Sequence, residues 1–199
     1  AYTRAEAIAL LEEIAAAVFA KDLEDNFQHR AWLERWRQLI PAYVDWQIQR
    51  QQEWAVESVE QRGERVLETS VALHGRLDRV DSAQGQLGIV DYKTGKVPSQ
   101  DAVDQGEAVQ LPSYGLVSAG PVQRVEYLPV DRAPIRAGAQ LAGSDLIRHS
   151  EAVGRRLIQL CQDMDRGQPL PAWGDPDSCR HCDYDGICRR QAWAAETPE

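Results

Sequence analysis

The pattern that decides the fold lies in two neighbouring stretches, His74-Gly-Arg-Leu-Asp-Arg-Val-Asp81 and Ile89-Val-Asp-Tyr-Lys-Thr-Gly95. Residues 87–92 are mostly apolar and predict a buried strand with Asp91 near its end. Asp78 ends the strand predicted before it. Because residues i and i+2 of a strand share a face, we expect Lys93 on the same face as Asp91. One hairpin therefore brings two carboxylates and an ammonium group together.

This grouping has a chemical and a purely structural interpretation. The carboxylates of Asp78 and Asp91, with the backbone carbonyl of Tyr92, form a hard oxygen site that suits Mg²⁺ or Mn²⁺. The ammonium of Lys93 can then orient a water or stabilise charge on phosphorus. For an isolated Asp-x-Lys tripeptide, the alternative is a surface hairpin with a salt bridge between Asp91 and Lys93.

Three motifs in order decide between these interpretations: Gly75-x-x-Asp78-Arg79, Asp91-Tyr-Lys-Thr-Gly95 and Gln110-Leu-Pro-Ser-Tyr114. The side chains of the last motif stand at i and i+4, so they share one face of a helix. Together the motifs resemble those of the PD-(D/E)XK nuclease superfamily, specifically its RecB/AddB-like exonuclease branch. The resemblance is clear from residue 54 to 193 and weaker over the first 50 residues.

The resemblance implies a fold and a set of roles. The expected fold is α/β, a restriction-endonuclease-like core with a central mixed β-sheet flanked by helices and a cysteine-bearing C-terminal tail. Asp78 and Asp91 are implied as metal ligands and Lys93 as the catalytic lysine. Gln110 and Tyr114 are implied to support the site or contact DNA.

Two further site residues are open at this stage. Glu57 or Glu60 stands where family members often have an acidic residue before the central strands, and a solvated strand end explains either equally well. Family members also place a metal-binding histidine on an N-terminal helix within a Gly-x-x-x-His pattern. His29 is the candidate here, but no such glycine precedes it, so a helix-surface histidine is the default.

The C-terminal cysteines Cys179, Cys182 and Cys188 resemble the triplet that ligates a 4Fe–4S cluster in AddB-like nucleases. A fourth cysteine normally lies upstream of the catalytic core. Cys161 is expected to be a buried core residue instead. Zinc is the rival metal, because Cys-x-x-Cys is equally a zinc half-site and His181 is nearby. We expect the three C-terminal cysteines to lie close together in space, but without a complete 4Fe–4S cluster.

Apolar spacing predicts four helices, at residues 4–20, 29–50, 103–117 and 141–167. Pro41 is expected to kink or split the second helix. Its tryptophans suggest base stacking or helix packing, and packing is preferred. β-branched residues after Trp54 predict two antiparallel strands broken at Arg62-Gly63, with a later strand at 122–130.

Composition limits the function classes. The 199 residues carry a net charge of −9, which excludes a generally basic nucleic-acid coat but not a local phosphate-binding cleft. No apolar stretch is long enough to span a bilayer and the N-terminus is unlike a signal peptide, so a cytoplasmic location is expected. We expect three regions: helical 1–53, nuclease core 54–168 and tail 169–199. The start within a helix suggests the C-terminal piece of a longer polypeptide.

The function predicted from the sequence is divalent-metal-dependent hydrolysis of DNA. The resemblance implies an exonuclease domain of a helicase–nuclease repair or recombination system, with single-stranded or unwound DNA and a helicase-like domain or subunit as partners. One alternative is a catalytically silent scaffold of the same fold that binds DNA or a partner. Another alternative is an interaction domain that a structural zinc ion holds together, which leaves the Asp-x-Lys grouping unexplained.

Overall fold

The computed structural model describes residues 2–20, 27–67, 71–169, 179–180 and 182–188. The chain divides into two compact units, residues 1–156 and 157–199. The helices are α1 (Arg4–Ala20), α2 (Phe27–Arg50), α3 (Gln100–Asp104), α4 (Gln110–Val117), α5 (Gly143–Asp165) and α6 (Asp185–Cys188). The strands are β1 (Ala55–Val66), β2 (Ala72–Ala83), β3 (Gln86–Lys93), β4 (Val122–Pro129) and β5 (Gln140–Ala142).

In the described part of the chain, the strands form one five-stranded sheet in the order β1-β2-β3-β4-β5. Strands β3 and β4 pair in parallel, and the other neighbours are antiparallel. A parallel pair needs a long crossover, which α3 and α4 provide. The expected mixed α/β sheet flanked by helices is therefore confirmed. The predicted division into 1–53, 54–168 and 169–199 stays a prediction.

Helices of the first unit cover both faces of the sheet. On one face, α4 and the start of α5 bury the main core, which includes Leu77, Ile89, Leu111, Val125 and Leu146. On the other face, Tyr43 and Trp46 of α2 pack against Val90 and Leu128. Helix α1 packs on α2 through a separate apolar cluster. No described helix is long and apolar enough to cross a bilayer.

The predicted break at Arg62-Gly63 is wrong, because β1 runs through it without interruption. Gly63 pairs with Gly75 of β2. A Cβ atom on Gly63 would lie 2.5 Å from the carbonyl oxygen of Val117. The glycine therefore serves the close approach of α4 to the hairpin, not a turn.

Two predicted helices need correction, and in a third only the split expected at Pro41 is absent. The helix expected at 103–117 is two helices, since α3 is followed by Gly106 with a φ of 75° and α4 begins only at Gln110. The helix expected from 141 begins at Gly143, because residues 140–142 form strand β5. Pro41 lies inside α2 and does not split it.

A buried ionic network joins α2 to the sheet on the face away from α4. The guanidinium of Arg50 donates to the carboxylates of Asp81 and Glu126. Arg79 pairs with Asp81 at 2.7 Å, and Arg124 pairs with Glu126 at 3.2 Å. Arg50, Asp81 and Glu126 have side chains that are at most 7% exposed. The last residue of α2 is thus tied to both β2 and β4.

We predict that Arg50→Met lowers the free energy of unfolding by about 3 kcal/mol, the lower end of the range for breaking a buried ion pair. The lower end applies because Asp81 and Glu126 each keep another arginine partner. Urea denaturation checks the value. Arg4→Met breaks the exposed pair between Arg4 and Asp45 and is the control, expected to change stability little. Equal losses in both variants would contradict the importance of the buried network.

Candidate active site

The site forms where strands β2 and β3 stop pairing. Their ladder ends at the pair Arg79 and Val90, and the next residues along the two strands are Asp78 and Asp91. Beyond the ladder, the amide N–H of Tyr92 donates to Oδ2 of Asp78 at 3.0 Å. A carboxylate therefore satisfies a backbone donor that the ladder leaves unpaired. The antiparallel register places the two aspartates opposite each other.

Asp91 is a buried carboxylate, with only 3% of its side chain exposed. Its Oδ1 accepts a hydrogen bond from Nε2 of Gln110 at 2.9 Å and another from the hydroxyl of Tyr114. Its Oδ2 lies 2.7 Å from Nζ of Lys93. Because an unpaired buried charge is very unfavourable, these contacts are what allow Asp91 to remain there.

Gln110 links the charged groups of the site. Its Oε1 accepts from Nζ of Lys93 at 2.8 Å, while its Nε2 donates to Asp91 and to the hydroxyl oxygen of Tyr114 at 2.7 Å. Gln110 and Tyr114 stand one turn apart on α4, so both reach the same carboxylate. The structure therefore brings together all five residues for which the sequence predicts a role in catalysis.

Lys93 lies at the border between the buried site and solvent, with 24% of its side chain exposed. Its Nζ lies 5.1 Å from the centroid of the Tyr127 ring. Burial, together with the charge of Asp91, raises the pKa of Tyr127 to about 12. The ion pair of the surface-hairpin alternative does form, but its carboxylate is buried and held by a helix.

Burial and the charges of the site together raise the pKa of Asp78. Burial is the largest cause raising that pKa, and the nearby charges of Asp91 and Glu60 raise it further. The Tyr92 amide and Lys93 act in the opposite direction without cancelling the rise. The two carboxylates are thus close enough to repel each other, as ligands of one cation must be.

Of the two acidic candidates on β1, Glu60 is the one beside the site. The register of the flanking pairs places it opposite Asp78, and its φ of 52° is left-handed, which interrupts the ladder at that point. Its carboxylate pairs with Arg76 at 2.9 Å. Glu57 instead lies at the irregularity of β1 between Val56 and Ser58. A strained non-glycine backbone is a feature found often at functional sites.

The aspartates fit a divalent cation. Oδ2 of Asp91 is buried and receives no hydrogen bond of good geometry, although Lys93 lies beside it. With Asp78 and the carbonyl of Tyr92, the donor set is entirely oxygen, which suits Mg²⁺ or Mn²⁺. Among the described residues, no group of three or more His, Cys, Asp or Glu side chains is arranged to hold a metal. The fit therefore depends on two carboxylates and a backbone oxygen.

Residues that support the site from the other face of the sheet could not be assigned from the sequence. The hydroxyl of Tyr92 accepts from Nη1 of Arg79 at 3.2 Å and lies 3.0 Å from the hydroxyl of Tyr43 on α2. Burial is the main cause that raises the pKa of Tyr43. The aromatic stripe of α2 was the available signal, but it does not reveal which strand the stripe covers.

The remaining candidates do not join this site in the described residues. His29 lies in the first turn of α2, and no hydrogen bond or ion pair links it to either aspartate there. Cys179, Cys182 and Cys188 are free thiols, and among the described residues no group of three or more His, Cys, Asp or Glu side chains is placed to hold a metal ion. That the three cysteines lie close together stays a prediction. Cys161 on α5 is partly exposed, so the prediction that it is a core residue is wrong. His181 lies outside the described residues.

One protein family matches this chain along nearly its whole length. The family model of the PD-(D/E)XK nuclease superfamily matches residues 2–189. The solved structure titled "Crystal structure of SSO0001" is 13% identical, with a TM-score of 0.41, over 90% of this chain and 96% of that chain. No curated protein matches the chain. Because the family match spans nearly the whole sequence, the chain belongs to the PD-(D/E)XK nuclease superfamily.

We predict that Asp78→Asn makes the metal-free protein more stable than the wild type at pH 7. The folded pKa of Asp78 lies above its unfolded value of about 3.9, so ionised Asp78 opposes folding. Asparagine keeps an acceptor for the Tyr92 amide. The difference should shrink as the pH falls through the folded pKa and vanish below the unfolded one.

Urea denaturation at pH 7 and near pH 4 measures this difference. The matched control is Asp165→Asn, at an exposed position on α5, which should follow the wild type at both pH values. A lower stability of Asp78→Asn at pH 7 would show that ionised Asp78 stabilises the fold, contrary to the account.

Proposed function

We propose that this nuclease-superfamily chain is a divalent-metal-dependent deoxyribonuclease of the RecB/AddB-like exonuclease branch. Asp78, Asp91 and the carbonyl of Tyr92 would hold Mg²⁺ or Mn²⁺, which when bound polarises a phosphodiester and lowers the pKa of a water. The observation that carries the proposal is the set of contacts that Lys93, Gln110 and Tyr114 make with the buried Asp91.

Lys93 is the proposed catalytic residue. Its ammonium is held by Asp91 and by Oε1 of Gln110, which leaves a third donor, and part of the side chain is exposed. That donor can hydrogen-bond to a phosphate oxygen or to the attacking water, where it stabilises developing negative charge. Arginine would be a poor substitute, because its rigid planar fork cannot make these contacts from the same place.

Gln110 and Tyr114 are proposed as positioning residues. Burial and the hydrogen bond to Asp91 raise the pKa of Tyr114, so its hydroxyl stays protonated and donates at any physiological pH. Gln110 holds Lys93 and Asp91 with opposite ends of one amide. Together they orient the Asp91 carboxylate, so that its Oδ2, which lies beside Lys93, is presented in one direction.

The proposed setting is a helicase–nuclease system of DNA repair or recombination in the cytoplasm. A net charge of −9 gives the chain little electrostatic attraction for DNA by itself. A helicase-like domain or subunit that delivers single-stranded or unwound DNA would overcome this weakness. The three C-terminal cysteines are proposed as three of the four thiolate ligands of a 4Fe–4S cluster, with the fourth supplied from elsewhere in the full-length protein.

We predict that Lys93→Ala lowers the rate of DNA cleavage at least about 100-fold, as expected for loss of a group that stabilises transition-state charge. Its affinity for Mn²⁺ should remain close to wild type, because Lys93 does not ligate the metal. A degradation assay on single-stranded and duplex DNA measures the rate, and calorimetry measures the affinity. Asp91→Ala should lose both.

The matched control is Lys96→Ala, an exposed lysine three residues further along, which should cleave like the wild type. Wild-type cleavage by Lys93→Ala would contradict the assigned role. A wild-type protein that binds Mn²⁺ but cuts no DNA would favour the catalytically silent scaffold.

For the cysteines, we predict that the full-length protein, purified without oxygen, is brown and absorbs light at about 400 nm. Cys182→Ser should lose this absorption, because it removes a proposed ligand. Cys161→Ser, which alters the thiol on α5, should keep it. Stoichiometric zinc without the absorption band would contradict the iron–sulfur assignment and support the zinc alternative.

A further inference from the structure

A largely apolar cavity of about 270 Å³ lies beside the carboxyl ends of β3 and β4. Its aromatic wall comes from the helices and consists of Phe19, Trp32 and Trp36. Its floor comes from residues at and beyond the strand ends, namely Thr94, Val130 and Asp131. Trp32 is 48% exposed, although exposure of so large an apolar residue is unfavourable. Helix packing therefore does not account for Trp32.

The cavity is built directly onto the candidate active site. Thr94 follows Lys93, so their Cα atoms are about 3.8 Å apart. The amide of Val130 donates to the carbonyl oxygen of Lys93 at 2.8 Å. One lining residue is thus covalently joined to the proposed catalytic lysine, and another is hydrogen-bonded to it. Because the Lys93 side chain lies on the α4 side of the sheet and the cavity on the α2 side, a substrate strand must pass around the end of β3 to reach both.

Asp131, which lines the cavity, carries an unused acceptor. Oδ1 of Asp131 is buried without a hydrogen-bond partner, while the guanidinium of Arg35 donates to the backbone carbonyl of the same residue at 3.2 and 3.3 Å. A buried acceptor without a donor is unfavourable, so rotation of the Asp131 side chain toward a ligand that supplies an N–H group would be favoured. The exocyclic amino groups of adenine, cytosine and guanine each supply two N–H donors at the edge of the base, whereas thymine supplies only its ring N3–H.

We propose that this cavity is a nucleobase pocket, in which a base of the substrate strand stacks on Trp32 and its amino group donates a hydrogen bond to Asp131. The proposal rests on the proposed function, since it assigns the pocket to the DNA that Lys93 cleaves. The cavity is just below the roughly 300–1,000 Å³ of small-molecule pockets, which suits one ring system. A partner helix, about 10–12 Å across, does not fit a cavity of this volume.

The test measures how binding depends on each base of the strand. The full chain carrying Lys93→Ala is titrated in Mn²⁺ with labelled single-stranded oligonucleotides, each lacking one base, and binding is followed by fluorescence anisotropy. We expect one position at which loss of the base weakens binding about 5- to 150-fold, the range for one stacked base. Trp32→Ala should abolish this dependence, and Trp32→Phe should keep most of it.

The matched control is Tyr2→Ala, because Tyr2 is 72% exposed and lies before α1, at the opposite end from Phe19. It should keep the full dependence on the base. At the sensitive position, thymine should bind more weakly than cytosine. Asp131→Asn should reduce that difference, because the asparagine amide can donate to thymine.

Three results would overturn the pocket. They are the absence of any sensitive position, a sensitive position that survives Trp32→Ala, and an equal loss at all positions in Trp32→Ala with its fold intact by circular dichroism. Cleavage by the wild-type chain is measured alongside. Metal-dependent cleavage without a sensitive position refutes the pocket alone, whereas absence of cleavage refutes the proposed function.

Discussion

The candidate site depends on the charge of Asp91, which the fold buries at the end of a strand. Such a charge is tolerated only when donors surround it, and here they come from Lys93 on the same strand and from Gln110 and Tyr114 on α4. The same contacts that stabilise the carboxylate dock α4 on the sheet. The crossover between β3 and β4 is thereby tied to the chemistry of the site.

The other face of the sheet is held by charge as well. Arg50 at the end of α2 bridges Asp81 and Glu126, and Arg79 reaches from this network to the hydroxyl of Tyr92. The backbone of Tyr92 in turn holds Asp78. The central strand is therefore fixed from both faces, and this leaves the two aspartates opposed in spite of their repulsion. Burial, with the repulsion from Asp91, raises the pKa of Asp78, so its ionised form opposes folding in the absence of a cation.

The sequence could predict those parts of the site that depend on local periodicity. Alternation along a strand places Asp91 and Lys93 together, and helical spacing does the same for Gln110 and Tyr114. It could not predict the pairing of Arg50 with Glu126, because that contact joins elements 76 residues apart and any arginine has the same local pattern. Gly63 was misread for a similar reason. A side chain at Gly63 would collide with the backbone of Val117, which is distant in sequence.

The choice between Glu57 and Glu60 required the register of β1 against β2, which a single-residue irregularity shifts. The sequence assigns Trp32 to helix packing because spacing alone cannot separate a buried stripe of tryptophans from an exposed one.

The central claim is that Asp78 and Asp91 ligate one divalent cation, and anomalous diffraction from a crystal soaked in Mn²⁺ tests it most directly. The account predicts a peak within about 2.5 Å of an oxygen of each carboxylate. A bound manganese that contacts neither aspartate would contradict it.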